Sequence, residues 1–83
     1  MRLSTRGRFA ITAMIDLALR QSNTPVPLQD LAVRHRISMS YLEQMFAKLR
    51  QHALVESTRG PGGGYTLARA AHTISVADII GAI

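Results

Sequence analysis

The chain has 83 residues, 47% of them hydrophobic and 18% charged: a composition that folds, and a length that holds one domain with a small core. Its formal charge is +5, and nine of its ten cations are arginine. That balance points to a polyanionic partner, nucleic acid first, because the guanidinium fork suits phosphate and guanine edges. A small basic domain that binds no polyanion is the plain alternative. The absence of cysteine excludes disulfides, thiol catalysis and cysteine metal sites, and fits a reducing compartment. No apolar run reaches the roughly 18–20 residues of a membrane-spanning helix. The N-terminal stretch carries Asp16 and Arg20, unlike a signal peptide, so the cytoplasm is the expected location.

Arg2, Arg6 and Arg8 surround Ser4 and Thr5, either of which can cap a helix. Phe9, Ala10, Ala13, Met14, Leu17 and Ala18 then recur at helical spacing, which predicts a helix over about 5–21. Cations at a helix start oppose its dipole. They belong either to a solvated surface or to a face turned toward phosphate. Ser22 to Pro27 reads as a loop whose prolines end one helix and open the next. Leu28, Leu31, Ala32 and His35 predict a short second helix over 28–35, followed by a tight turn at Arg36-Ile37.

The third helix, over 39–51, has the sharpest pattern. Tyr41, Leu42, Met45, Phe46 and Leu49 form one apolar stripe. Ser40, Glu43, Gln44, Ala47, Lys48, Arg50 and Gln51 occupy the opposite side. With Ser40 as the N-cap, Glu43 would complete a capping box and be partly structural. With Ser38 as the N-cap, Ser40 and Glu43 lie inside the helix, free to face a ligand. Ser38 is the preferred reading because it keeps Tyr41 well inside the helix. Two helices, a short turn and a strongly amphipathic helix make a helix-turn-helix.

Residues 54–67 predict a β-hairpin. The strand-like segment Leu54–Thr58 and Tyr65–Leu67 flank Arg59-Gly-Pro-Gly-Gly-Gly64. A hairpin directly after such a helix is a wing. The glycines of the tip allow positive φ and close backbone approach to a partner, and Arg59 stands at the base of the tip. The glycine run is no phosphate loop, since neither Gly-Lys-Ser/Thr nor a helix follows it. Residues 68–73 read as a connector. Ser75 and Asp78 form a capping-box-like pair ahead of a last helix over about 76–83.

Catalytic chemistry has no candidates here. His35, His52 and His72 are far apart with no carboxylate at ligand spacing, and the five acids are scattered, so neither a metal site nor an acid–base pair is proposed. The fold class is mainly α with a small β-hairpin, a winged helix-turn-helix. Two functions suit it: a binder of duplex DNA, or a protein-interaction module without specific DNA binding. Short polar side chains at the N-terminal half of the third helix favour DNA, because that end of a recognition helix enters the major groove. An interaction helix would more often expose an apolar anchor there.

Four stretches carry a family resemblance: MRLSTRGRFAITAM at 1–14, VPLQDLA at 26–32, ISMSYLEQMFAKLR at 37–50 and RGPGGGY at 59–65. Together they resemble the DNA-binding domain of the iron–sulfur cluster regulator family, the IscR-like branch of the Rrf-type winged-helix transcription factors. The resemblance implies a regulator that binds palindromic double-stranded promoter DNA as a homodimer. It assigns Ser40, Glu43 and Gln44 to base reading and Arg59 to the minor groove. Ser38, Tyr41, Lys48, Arg50, Gly60, Gly62, Arg2 and Arg8 complete the expected DNA-contacting set. Many members hold a 2Fe–2S cluster with three cysteines beyond the winged helix and dimerise through a long downstream helix. Neither feature occurs in these 83 residues, so no cofactor is expected in this chain, which is expected to be part of a longer protein that senses iron–sulfur or redox status. The resemblance also implies glycine at positions 36 and 53, just past two helices, where this chain has Arg36 and Ala53.

Overall fold

In the computed structural model, residues 4–20 and 24–83 are described. The first helix, α1, spans Thr5–Leu19. Ser4 caps it, its hydroxyl accepting from the Gly7 N–H at 3.0 Å. Ala10, Ala13, Met14 and Leu17 form its buried side. The helix ends at Leu19, with Arg20 outside the helical region (φ −98°, ψ 53°); the expected end at about residue 21 lies outside the described residues. Helix α2 spans Leu28–His35 and has no side-chain cap at Pro27. Its last turn ends on Arg36 in the left-handed conformation.

Helix α3, Met39–Gln51, comes two residues later and supplies the centre of the core. Leu42, Met45, Phe46 and Leu49 are fully buried, packed with Leu31 of α2 and Val55 of the wing. The fold is thereby assembled around the apolar stripe that the sequence marks most clearly. The chain leaves α3 through Ala53, again left-handed (φ 58°), and Leu54 returns its N–H to the Leu49 carbonyl at 3.0 Å. This is the six-to-one bond that closes many helix C-termini, with buried Leu54 as the accompanying apolar contact.

Strands β1 (Val55–Thr58) and β2 (Gly64–Leu67) pair antiparallel, with Val55 opposite Leu67 and Thr58 opposite Gly64. A two-stranded hairpin is marginal alone, and this one is reinforced. Val26, in the segment read from sequence as loop, exchanges both backbone hydrogen bonds with Tyr65 at 2.8 Å. The approach is so close that a Cβ on Gly64 would lie 2.4 Å from the Val26 carbonyl, which only glycine at φ +154° avoids. The connector forms a single 3-10 turn at Ala71–Thr73. Helix α4, Val76–Ala82, begins with a complete capping box between Ser75 and Asp78 and buries Ile79 and Ala82 against the other helices.

Candidate nucleic-acid interface

Ser38 is the N-cap of α3, its Oγ accepting from the Tyr41 N–H at 3.2 Å. Ser40 and Glu43 therefore lie within the helix, and Glu43 is not engaged as a capping-box partner. At about 100° per residue, Ser40, Gln44, Ala47 and Gln51 share one line along the helix. Glu43 and Arg50 flank it on one side and Lys48 on the other. Ser40, Glu43, Gln44, Lys48 and Arg50 are all exposed, and among the described residues none of these side chains has an ion-pair partner. Met39, in the first turn, is 40% exposed and adds an apolar group at the edge of the buried stripe, on the side of Glu43.

Two aromatic contacts fix this helix to its neighbours. The Phe9 ring of α1 meets Tyr41 edge to face at 5.7 Å, and Phe46 meets Tyr65 of β2 in the same manner at 4.8 Å. The first sets the N-terminal end of α3 against α1. The second joins the middle of α3 to the wing. At the wing tip, Gly63 returns its N–H to the Gly60 carbonyl at 2.9 Å across Pro61 and Gly62. Proline at the second position and Gly62 at φ +74° fit a type II turn, and Gly60 also has positive φ. Arg59 is exposed at its base. Arg8 is exposed on the first turn of α1, whereas Arg2 lies outside the described residues.

One cluster has no counterpart in the sequence reading. Among the described residues, Asp16 is the one buried charged side chain, 7% exposed. Its carboxylate accepts from Arg20 Nε at 2.7 Å and from Arg34 Nε and Nη2 at 3.0 and 3.1 Å, and its Oδ2 lies 2.6 Å from His35 Nε2. Burial pushes the Asp16 carboxyl up, but the hydrogen bonds from Arg34, His35 and Arg20 outweigh it and hold the group well below the usual carboxylate range. His35 does meet a carboxylate, which sequence spacing did not reveal because the partner is 19 residues away on another helix. The only local signal was the pair Asp16 and Arg20, four apart on one helix face. Among the described residues no group of three or more histidine, cysteine, aspartate or glutamate side chains is placed to hold a metal ion.

The sequence pattern of the Rrf2 family, described as iron-dependent transcriptional regulators, matches residues 3–83. The chain belongs to the Rrf2 family. Among curated members, the HTH-type transcriptional regulator IscR of Xenorhabdus nematophila is 55% identical over all 83 residues, which cover 51% of that protein. Among solved structures, T. potens IscR superposes with a TM-score of 0.91 at 44% identity, over 100% of this chain and 61% of that one. CymR of B. subtilis, the global cysteine regulator, superposes with a TM-score of 0.93 at 39% identity, over 99% of this chain and 64% of that one. The chain thus spans about half the length of the curated Rrf2-family relatives it matches. These likenesses establish the winged helix-turn-helix fold and a family of transcription regulators rather than enzymes. No helix among the described residues is long and apolar enough to cross a membrane.

Proposed function

We propose that this chain is the DNA-binding part of a sequence-specific transcription regulator, with α3 in the major groove of duplex promoter DNA and the wing directed at the minor groove. The observation that carries this reading is the exposed side of α3. Ser40, Glu43 and Gln44 stand at the N-terminal half of a helix whose other side supplies fully buried Leu42, Met45, Phe46 and Leu49 to the core. A rigid helix with unengaged donors and acceptors at that end is what base readout requires. Glu43 accepts from a cytosine amino group and repels phosphate elsewhere, so it filters sequence as much as it attracts. Ser38 keeps its hydroxyl proton to donate although its oxygen serves the cap. Tyr41, Lys48 and Arg50 border the reading line and face the backbone. Gly60 and Gly62 leave the tip bare, so Arg59 can enter the narrower groove. Arg8, and Arg2 on sequence grounds alone, face phosphates at the start of α1.

On this reading two copies occupy a palindrome, as a homodimer in the cytoplasm. Ile15 and Leu19 of α1 and Val76 of α4 are exposed apolar side chains that offer surface for association. The 83 residues contain no cysteine, so they do not fit a 2Fe–2S cluster. Sensing of iron–sulfur or redox status is assigned to the part of the relatives' length that this chain does not span.

The test is an anisotropy titration at fixed salt, using a duplex selected from a random library by the wild-type chain and a scrambled duplex. Arg59→Ala should weaken binding to the selected duplex by about 1–3 kcal/mol with the fold intact. Glu43→Ala should lower the preference for the selected duplex more than it lowers affinity. Unchanged affinity in the first variant, or equal loss on both duplexes in the second, would remove these residues from the roles given.

A further inference from the structure

Helix α2 has eight residues, and no side chain caps its start. Leu31 is fully buried, and Leu28 and Ala32 pack partly buried against the core. Its C-terminal turn is held by polar contacts as well. Arg34 grips Asp16 with two nitrogens, one to each carboxylate oxygen, and His35 Nε2 meets the same carboxylate at 2.6 Å. Cations in the last turn also suit the helix dipole. A planar two-point grip fixes orientation as well as distance.

The backbone just past His35 has little slack. Arg36 is left-handed, with its N–H on the Ala32 carbonyl, and Ile37 is buried with its N–H on the same carbonyl at 3.2 Å. The next residue, Ser38, is already the cap of α3. The tilt of α2 is therefore passed to the first turn of α3 through three residues with fixed backbone. On α1, Asp16 lies two turns beyond Phe9, on the same face, and Phe9 touches Tyr41 in that first turn. The start of α3 is thus referred to α1 twice: directly through Phe9, and through α2 by way of Asp16.

We propose that Asp16 is a positioning residue for the DNA-reading helix: its carboxylate, gripping Arg34 and His35, holds α2 on α1 and so sets the angle at which α3 presents Ser40, Glu43 and Gln44. The inference rests on the DNA-binding reading for its functional consequence, but the positioning itself is measurable without DNA. Asp16 touches no part of the exposed reading line, so its effect runs through α2.

Asp16→Asn keeps the shape and removes the charge. Hydrogen exchange of the folded 83-residue chain at neutral pH should show the amides of Arg36, Ile37, Tyr41 and Leu42 exchanging at least tenfold faster than in the wild type. Those of Val26 and Tyr65, in the wing ladder, should stay within about twofold. A uniform rise at all these amides would mean a loss of global stability only and would overturn the proposal. In anisotropy titrations on the selected and scrambled duplexes, the ratio of affinities should fall at least tenfold while the slope against salt is unchanged, since no phosphate contact is removed. A folded Asp16→Asn chain that keeps the wild-type ratio would overturn it as well. A wild-type chain with no preference between duplexes would defeat the DNA reading instead, and the exchange result would then decide the positioning alone. Should Asp16→Asn not fold, Arg34→Gln, which removes the charge and the two-point grip, must reproduce the selective exchange, whereas His35→Gln, which keeps an N–H donor beside Asp16, must retain the wild-type pattern. Arg34→Gln with wild-type exchange would refute the role.

Discussion

Arg36 and Ala53 adopt φ of 54° and 58°, so both keep the left-handed turn that glycine takes most readily. For a residue with a Cβ that conformation costs on the order of 1 kcal/mol. Arg36→Gly and Ala53→Gly should each raise stability by up to about 1 kcal/mol in urea unfolding, less whatever glycine adds to the entropy of the unfolded chain. Unaltered or lower midpoints in both would show that the strain is no larger than the entropy glycine adds to the unfolded chain. Asp16 makes a prediction of a different kind. Its carboxyl is depressed in the folded chain, so the folded state binds fewer protons than the unfolded one at acid pH. The stability it contributes is complete above the ordinary value of about 4 and is lost as pH falls below that toward the lower folded value. The gap between wild type and Asp16→Asn, on the order of 2 kcal/mol at neutral pH because the partners are part-solvated, should narrow steadily below about pH 4. A gap independent of pH would mean that shape, not charge, accounts for it.

At the level of elements, α3 is set by its stripe and by its cap, and the two serines at its start separate cleanly. Ser38→Ala removes the hydrogen bond to the Tyr41 N–H and should cost about 1 kcal/mol in thermal or urea unfolding. Ser40→Ala removes nothing from the fold and should leave stability within about 0.5 kcal/mol of wild type. A loss in Ser40→Ala with none in Ser38→Ala would return the cap to Ser40 and make Glu43 part of it. The stripe of α3 was legible because period and burial coincide: of the residues that the spacing puts on one side, Leu42, Met45, Phe46 and Leu49 are fully buried, and Tyr41, at the stripe's edge, is partly buried against the core. The glycine tip was legible because a left-handed turn leaves glycine few substitutes. Val26 was not legible, since two prolines around one valine read as loop, and its strand character exists only where Tyr65 is brought alongside.

For the whole molecule, on the proposed DNA-binding reading, one copy of the winged fold offers one reading helix and one wing, enough for a single half-site. The isolated chain should therefore bind the selected duplex only weakly, at micromolar or higher dissociation constants, and lose affinity steeply with salt, by roughly 0.9 log unit per log of salt for each phosphate neutralised. Nanomolar binding by a chain shown to be monomeric would contradict the half-site argument. The order of elements, the packed and open sides of α3, the turn at the wing tip and the capping box of α4 are all written in the linear chain, because each depends on residues within a few positions of one another. How α2 is held is not. Asp16 is 18 residues from Arg34 and 19 from His35, no local period connects them, and their side-chain hydrogen bonds form only after α1 and α2 have docked and excluded water from the carboxylate.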